Sequence, residues 1–431
     1  MPESSNRLLI LASKLGYQTR SFADAARTLG VEVLFGTDRC RRLEDPWADA
    51  AIPLRFEAPE RAARDLVARL ADTPPQAVLA LGDRPTVTAA YAARAFGLIC
   101  NSPECVLNCR SKLRQRAVLR DAHLPVPDFF SFELDESLDS LLPRVRFPCV
   151  VKPLSLAASQ GVVRADNSSE FAAAVARIRA LLESPEVQVT REPALDRLLV
   201  ERYIAGTEVA VEGLVDRGTL RVLAIFDKPD PLEGPYFEET IYVTPSRLSD
   251  KVQAGIANCL EQSVRALGLT HGPLHAEFRI NDAGVWVLEV QPRPIGGLCA
   301  RALRFGPEKI FLEELLVRHA LGLPGSDLPR EAEASGVMMI PVPSSGVLDA
   351  VEGVEAARAT PRVTDVQITA RLHDAILAWP EGSSYLGFIF ARGGKPEEVE
   401  AALRAAHAKL RFVITPRLPV EHPLAHKMPA G

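Results

Sequence analysis

Short apolar runs alternate with amphipathic segments through the first hundred residues. Residues 7–13, 31–37 and 76–83 contain runs of strand length, while residues 19–30 and 86–97 repeat their apolar positions at helical spacing. Strands alternating with helices of this length predict βαβ units and a parallel sheet. From Asn108 the rhythm changes. A helix over 111–123 leads through a Pro-bounded connection, 124–130, to a strand over 147–154, then a loop of small residues and a long helix over 171–184. Strands at 198–204, 207–215 and 221–229, a helix over 251–268, a hairpin over 274–290 and a helix over 309–322 follow. Beyond a Gly/Pro/Ser-rich loop near Gly322, the last hundred residues mix strands (336–343, 375–382, 384–393) with a helix over 396–410.

This pattern divides the chain into three parts of mixed α/β and α+β class. Residues 1–107 form a Rossmann-like N-terminal domain; residues 108–322 form a central domain with lobes at about 108–205 and 206–322; residues 323–431 form a separate small α+β C-terminal domain. The first strand is followed by Ser13, Lys14, Leu15 and Gly16 rather than a GxGxxG turn, which argues against a classical dinucleotide site there.

Composition narrows the function classes. The 431 residues carry a net charge of only −5 with no long Lys/Arg block, so neither nucleic acid nor a membrane surface is expected, and an anionic ligand must be held by a local site. The apolar run near the N-terminus is too short for a signal peptide or a spanning helix, and the expected location is cytoplasmic. Seven cysteines, an odd number in apolar or mixed surroundings, read as reduced thiols. The CxxxC pair Cys105 and Cys109 reads as a helix face rather than a zinc site.

The hairpin at 274–291 carries the most chemistry. A three-residue turn, Asp282-Ala283-Gly284, places Gly284 at a left-handed position and sets Asn281 opposite Val285. Ala276 then faces Val290, Phe278 faces Leu288 and Ile280 faces Trp286 on one apolar side. The other side collects His275, Glu277, Glu289 and Gln291. Two carboxylates directly across a ladder repel unless a cation lies between them or one is protonated. Magnesium at a nucleotide site is commonly held by two carboxylates plus phosphate oxygens, so Glu277 and Glu289 are the expected metal ligands, and Gln291 can add an amide oxygen. An exposed face with incidental acids is the alternative.

Arg293, next along, offers a bidentate grip on phosphate or carboxylate, and Gly296 and Gly297 let backbone N–H groups approach an anion. Lys152 ends an apolar strand immediately before Pro153, and the small-residue loop after it, with Ser159 and Gly161, suits closure over phosphates. Lys112 opens a helix and taken alone reads as surface. Glu201, Tyr203 and Ile204 end a strand that resumes through Gly206 to Glu208. This hinge can offer backbone groups to an adenine edge and Glu208 to ribose hydroxyls; an ordinary hairpin is the alternative.

Together these segments, from about Asn108 to Ala320, resemble the ATP-grasp superfamily, with five motifs in the family's order. The resemblance implies ATP and Mg2+ (or Mn2+) as cofactors. Lys112 and Lys152 then bind ATP phosphates under the loop of Ser159 and Gly161, and Glu201, Tyr203, Ile204 and Glu208 bind adenosine. Glu277 and Glu289 hold magnesium, and Arg293, Gly296 and Gly297 stabilise an acyl phosphate. Most members have Asn where this chain has Gln291. Within the superfamily the chain is most similar to the L-amino-acid ligases, through residues 227–248, 346–363 and 380–393. That similarity implies a carbon–nitrogen ligase joining a carboxylate and an amine, both small molecules and both amino acids, with Glu239 and His275 near substrate. It leaves a homodimer open. The rival readings are a ligase for a non-amino-acid carboxylate or nucleotide precursor, and a non-catalytic nucleotide-binding regulator.

Overall fold

Four parallel strands open the fold, in the spatial order Ala51–Pro53, Glu32–Thr37, Arg7–Ala12 and Ala77–Leu81. This computed structural model describes residues 6–13, 16–38 and 51–416. The central strand Arg7–Ala12 is almost wholly buried because helices cover both faces: Phe22 and Ala26 of Tyr17–Thr28 pack on one side, Ala62 and Leu66 of Pro59–Arg69 on the other. That is the parallel α/β arrangement the alternating runs predict.

A four-stranded antiparallel sheet follows, in the order Phe129–Glu133, Arg197–Arg202, Cys149–Pro153 and Val163–Ala165. The helix Ser168–Glu183 buries Phe171, Ala174, Val175 and Ile178 against it, at i, i+3, i+4 and i+7. Its start is fixed by Asn167, whose side chain accepts the Glu170 N–H while Glu170 accepts the Asn167 amide.

The largest sheet has eight strands, from Gly284–Gln291 at one edge through Gly272–Asn281, Thr207–Asp216, Thr219–Asp227, Ile241–Thr244, Ala334–Ile340 and Gly387–Gly393 to Val363–Ile368. The helix Asp250–Leu267, stopped by Gly268 in the left-handed region, buries Ile256, Leu260 and Val264 against Val209, Val211, Ala276 and Phe278. The sequence reading sets residues 323–431 apart as a separate module, yet three of their strands hydrogen-bond into this sheet through the pairing of Ile241–Thr244 with Ala334–Ile340. A strand pattern reports which face is apolar and says nothing about which neighbour pairs with its edge.

Among the described residues no helix is long and apolar enough to cross a membrane. Cys105 and Cys109 lie buried on the helix Pro103–Arg110, and the described cysteines are free thiols; Cys40 lies outside the described residues.

The turn between Arg197–Arg202 and Thr207–Asp216 depends on Gly206, at φ 129°, where a Cβ would sit 2.1 Å from the Ile280 carbonyl oxygen. Gly206→Ala forces apart two strands of the main sheet at a strained backbone angle. A loss of about 2–3 kcal/mol in urea-unfolding free energy is expected.

Candidate functional site

Three layers of the fold meet at one edge of the eight-stranded sheet. The helix Lys112–Asp121, capped by Ser111, lies over the edge strand Gly284–Gln291. Gln115 donates to the Val290 carbonyl at 2.7 Å and accepts from the Val290 N–H at 2.9 Å, and Arg116 donates to the Leu288 carbonyl at 2.5 Å. The exposed backbone of an edge strand is thereby occupied.

The hairpin pairs His275 with Gln291, Ala276 with Val290 and Glu277 with Glu289, as expected. Nearer the turn the expected register is wrong. Phe278 faces Val287, Arg279 faces Trp286 and Ile280 faces Val285, because the ladder shifts at Leu288. Gly284 takes a positive φ of 127°, but Asn281 pairs with Gly284 instead of Val285. The bulge returns the strand to the register that sets the two acids opposite each other. Arg116, which grips the Leu288 carbonyl, comes from 172 residues away.

Glu277 is not left to repel Glu289 alone. Lys228, at the end of Thr219–Asp227, is 6% exposed and forms ion pairs with Glu208 (2.8 Å), Glu277 (3.1 Å) and Glu239. Lys228 thus offsets the charge of Glu277 on the side away from Glu289, whose nearest cation is Lys112 at 3.9 Å. Burial pushes the Glu277 carboxyl up, but Lys228 and His275 override it and hold it well below the usual carboxylate range. Burial instead pushes Glu239 up to about 7, against Lys228 and with Glu277 and Glu208 adding to the rise; its other oxygen accepts from Tyr242 Oη at 2.8 Å. Three carboxylates around one ammonium cannot all ionise freely, and the least favoured keeps its proton longest.

His275 stands beside Glu277 (3.5 Å) and binds Glu212 through Nδ1 at 2.5 Å. Burial pulls this imidazole down, and Glu212 more than reverses that, raising it to about 9. Glu212 also accepts the Ile295 N–H at 3.0 Å, tying the segment after the hairpin to the same network.

Glu289 lies 2.5 Å from the Gln291 amide nitrogen and 3.9 Å from Lys112 Nζ. Gln291 Oε1 is buried with no hydrogen-bond partner. An orphaned carbonyl oxygen beside a carboxylate suits a hard cation, so Glu289 and Gln291 fit a magnesium site. Among the described residues, however, Glu277 clusters within 4.8 Å of Glu208 and Glu239 rather than with Glu289.

Lys112 reaches across the cleft and donates to the Leu156 carbonyl at 2.7 Å, at the start of the small-residue loop. It is therefore no surface lysine. Lys152, 9% exposed, pairs with Glu201 at 2.7 Å, and Arg116 binds the same carboxylate at 2.7 Å. Burial lowers the Lys152 ammonium despite Glu201. Burial opposes ionisation of Glu201 too, but Arg116 and Lys152 hold it down at about 2. The Glu201 side chain is thus fully engaged inward.

The hinge groups are likewise occupied. Tyr203 stacks with Phe237 and lies under the Arg164 guanidinium, the Ile204 carbonyl accepts from Arg279 at 2.7 Å, and Glu208 pairs with Arg279 at 2.9 Å. In the small-residue loop Ser159 and Gly161 have φ of 53° and 71°. The Gly161 N–H, expected to face phosphate, donates to the Pro380 carbonyl at 3.0 Å, while Gln160 donates to the Glu381 carbonyl and Trp379 to the Ala158 carbonyl.

Arg293 is anchored by Asp83 of the N-terminal part, at 2.6 Å, and Asp83 raises its pKa against the effect of burial. Gly296 has open space where a Cβ would stand, whereas at Gly297, at φ 64°, a Cβ would fall 2.9 Å from the Phe388 ring. Gly297 is thus explained by packing. Sequence reasoning missed Lys228, Arg116 and Asp83. The only local signals were a lysine ending an apolar strand, an arginine one turn after Lys112, and an aspartate after the strand Ala77–Leu81.

Comparison with known proteins matches three segments of the chain to families. The ATP-grasp domain family matches residues 145–302, the ATP-grasp N-terminal domain residues 23–98, and the L-amino acid ligase C-terminal domain 2 residues 338–415. The chain belongs to the ATP-grasp superfamily. Within it, this ATP-grasp protein is similar to the crystal structure of an L-amino acid ligase from Bacillus licheniformis. The TM-score is 0.81 at 28% identity, covering 96% of this chain and 100% of that one. It is 24% identical over 327 residues to an uncharacterized protein of Sinorhizobium fredii and 31% identical over 227 residues to carnosine synthase 1 of Gallus gallus. The matches take in 75% and 49% of this chain but span only 65% and 23% of those two relatives.

Proposed function

We propose that this ATP-grasp protein is an ADP-forming carbon–nitrogen ligase that activates an amino-acid carboxylate as an acyl phosphate and couples it to an amine, giving a dipeptide or amide. The observation that supports this most directly is the approach of Lys112, from one side of the cleft, to both Glu289 and the loop that follows Lys152. The match of the C-terminal region to an L-amino acid ligase domain, and the names of relatives that are themselves ligases, support the amino-acid substrate class.

In this reading Lys112 and Lys152 hold the ATP phosphates, and Tyr203, Ile204 and Glu208 line the adenosine site. Glu277, Glu289 and Gln291 hold Mg2+, which when bound neutralises phosphate charge. A carboxylate oxygen of the first substrate takes the γ-phosphoryl group and ADP departs. The amine nitrogen then attacks the acyl carbon, the C–O bond to phosphate breaks, and the amine loses a proton. Arg293 and the backbone at Gly296 stabilise the charge that builds at the acyl phosphate. His275 and Glu239 lie beside the reacting groups. Glu239, with a carboxyl pushed up to about 7, is suited to accept the amine's proton near neutral pH.

The test is phosphate release from ATP across a panel of free amino acids, singly and in pairs, with mass spectrometry of the products. Release that depends on amino acids, with a condensed product of matching mass, is the expected result. ATP turnover only with other carboxylates would replace the substrate class, and nucleotide binding without turnover would make the protein a regulator.

A further inference from the structure

A second cluster of metal-ligating side chains lies far from the cleft. Asp216 ends the strand Thr207–Asp216, four residues or about 13 Å beyond Glu212 along the same strand. His271 precedes the strand Gly272–Asn281, and His319 lies in the last turn of the helix Leu312–Ala320. Candidate ligand atoms of the three all fall within 4.8 Å of one another. The two imidazoles stack with centroids 4.5 Å apart, and His271 Nδ1 is 3.6 Å from Asp216 Oδ1.

Two features separate this cluster from an ordinary packed histidine pair. His319 is 8% exposed, yet its Nε2 has no hydrogen-bond partner, and His271 Nδ1 is buried without one as well. Buried ring nitrogens are nearly always satisfied, so two orphans facing one carboxylate call for a shared partner. The Val215 backbone lies close enough to the His319 ring to favour its protonated form. A backbone carbonyl on one nitrogen is the usual way a ligating imidazole is oriented, with the other nitrogen left bare for a metal. The site is also held in place from behind: the Asn101 side chain accepts the His271 N–H at 3.0 Å and donates to the His271 carbonyl at 2.7 Å.

We propose that Asp216, His271 and His319 bind a divalent transition metal of the zinc class, at a site distinct from the ATP cleft. Two imidazoles and one carboxylate suit zinc, cobalt or nickel better than magnesium. The 3.6 Å separation of His271 Nδ1 and Asp216 Oδ1 is close to the roughly 3.3 Å edge of a tetrahedron with ligand bonds of about 2.05 Å. Asp216 is exposed, which leaves the fourth position to water. Arg217 and Arg221 add positive charge nearby and lower the affinity that the three ligands alone would give. The ion would join the turn at Arg217 and Gly218, the loop at Thr270 and the helix Leu312–Ala320, acting as a structural clip.

The full chain, stripped with chelator and returned to millimolar Mg2+, is titrated with Co2+. The expected result is one equivalent bound with the intense visible bands of a tetrahedral site, displaced by Zn2+. Affinity should fall at least about 10-fold in His319→Gln and in His271→Asn, the second chosen because His271 is partly exposed and less able to disturb folding. Unaltered circular dichroism in either variant keeps the comparison valid. No stoichiometric Co2+ binding in the presence of Mg2+, or equal affinity in wild type and a folded His271→Asn, overturns the proposal.

Discussion

Glu289→Ala is expected to lower ligase turnover by at least about 100-fold at saturating Mg2+, with a weaker response to Mn2+ titration as well. Glu289 has few protein partners to release: the Gln291 amide and Lys112 at 3.9 Å. Its removal therefore costs the fold little and the proposed metal site much. Turnover equal to the parent would remove the hairpin from the chemistry. Arg293→Lys makes a paired measurement. It keeps a charge near Asp83 but loses the planar fork, so kcat should fall by about 10²–10³ with a smaller change in the KM for ATP. Asp83→Asn should give part of the same loss, because Asp83 orients Arg293. A raised KM with unaltered kcat would assign Arg293 to ground-state binding instead.

Glu201→Gln is expected to be the most destabilising single change, by about 3–5 kcal/mol in chemical unfolding. Glu201 is 4% exposed and balances two buried cations, Lys152 and Arg116. Removing its charge leaves both largely buried cations without their carboxylate counter-ion. The pH dependence carries a sign that checks the cause. In the folded chain this carboxyl is held at about 2, below its ordinary 4.5, so its contribution is present above the ordinary value and lost as pH falls toward about 2. The gap in stability between wild type and Glu201→Gln should narrow as pH falls from 4.5. A constant gap over that interval would mean that shape, and not charge, explains the loss.

The sequence makes much of this legible because local periodicity is strong where the fold is regular. The parallel sheet, the helix Ser168–Glu183 and the facing of Glu277 and Glu289 all follow from patterns within about fifteen residues. What escapes depends on partners distant in sequence. The bulged Leu288 gives its carbonyl to Arg116, and Arg293 pairs with Asp83, so neither contact can be read from the hairpin alone. Lys228 looks like the start of a loop until two strands and the segment before Ile241–Thr244 bring Glu208, Glu277 and Glu239 around it. The roles expected for Glu201 and the Gly161 N–H meet the same difficulty, since both groups already have partners from elsewhere in the fold.

The N–H of Gly161 serves one strong acceptor at a time, and in this structure that acceptor is the Pro380 carbonyl, with Gln160 and Trp379 reinforcing the contact from either side. A phosphate oxygen arriving at that amide competes directly with the C-terminal segment. Under the proposed function, nucleotide affinity and the placement of residues 379–381 would be two readings of one equilibrium, so that whatever steadies one of them shifts the other.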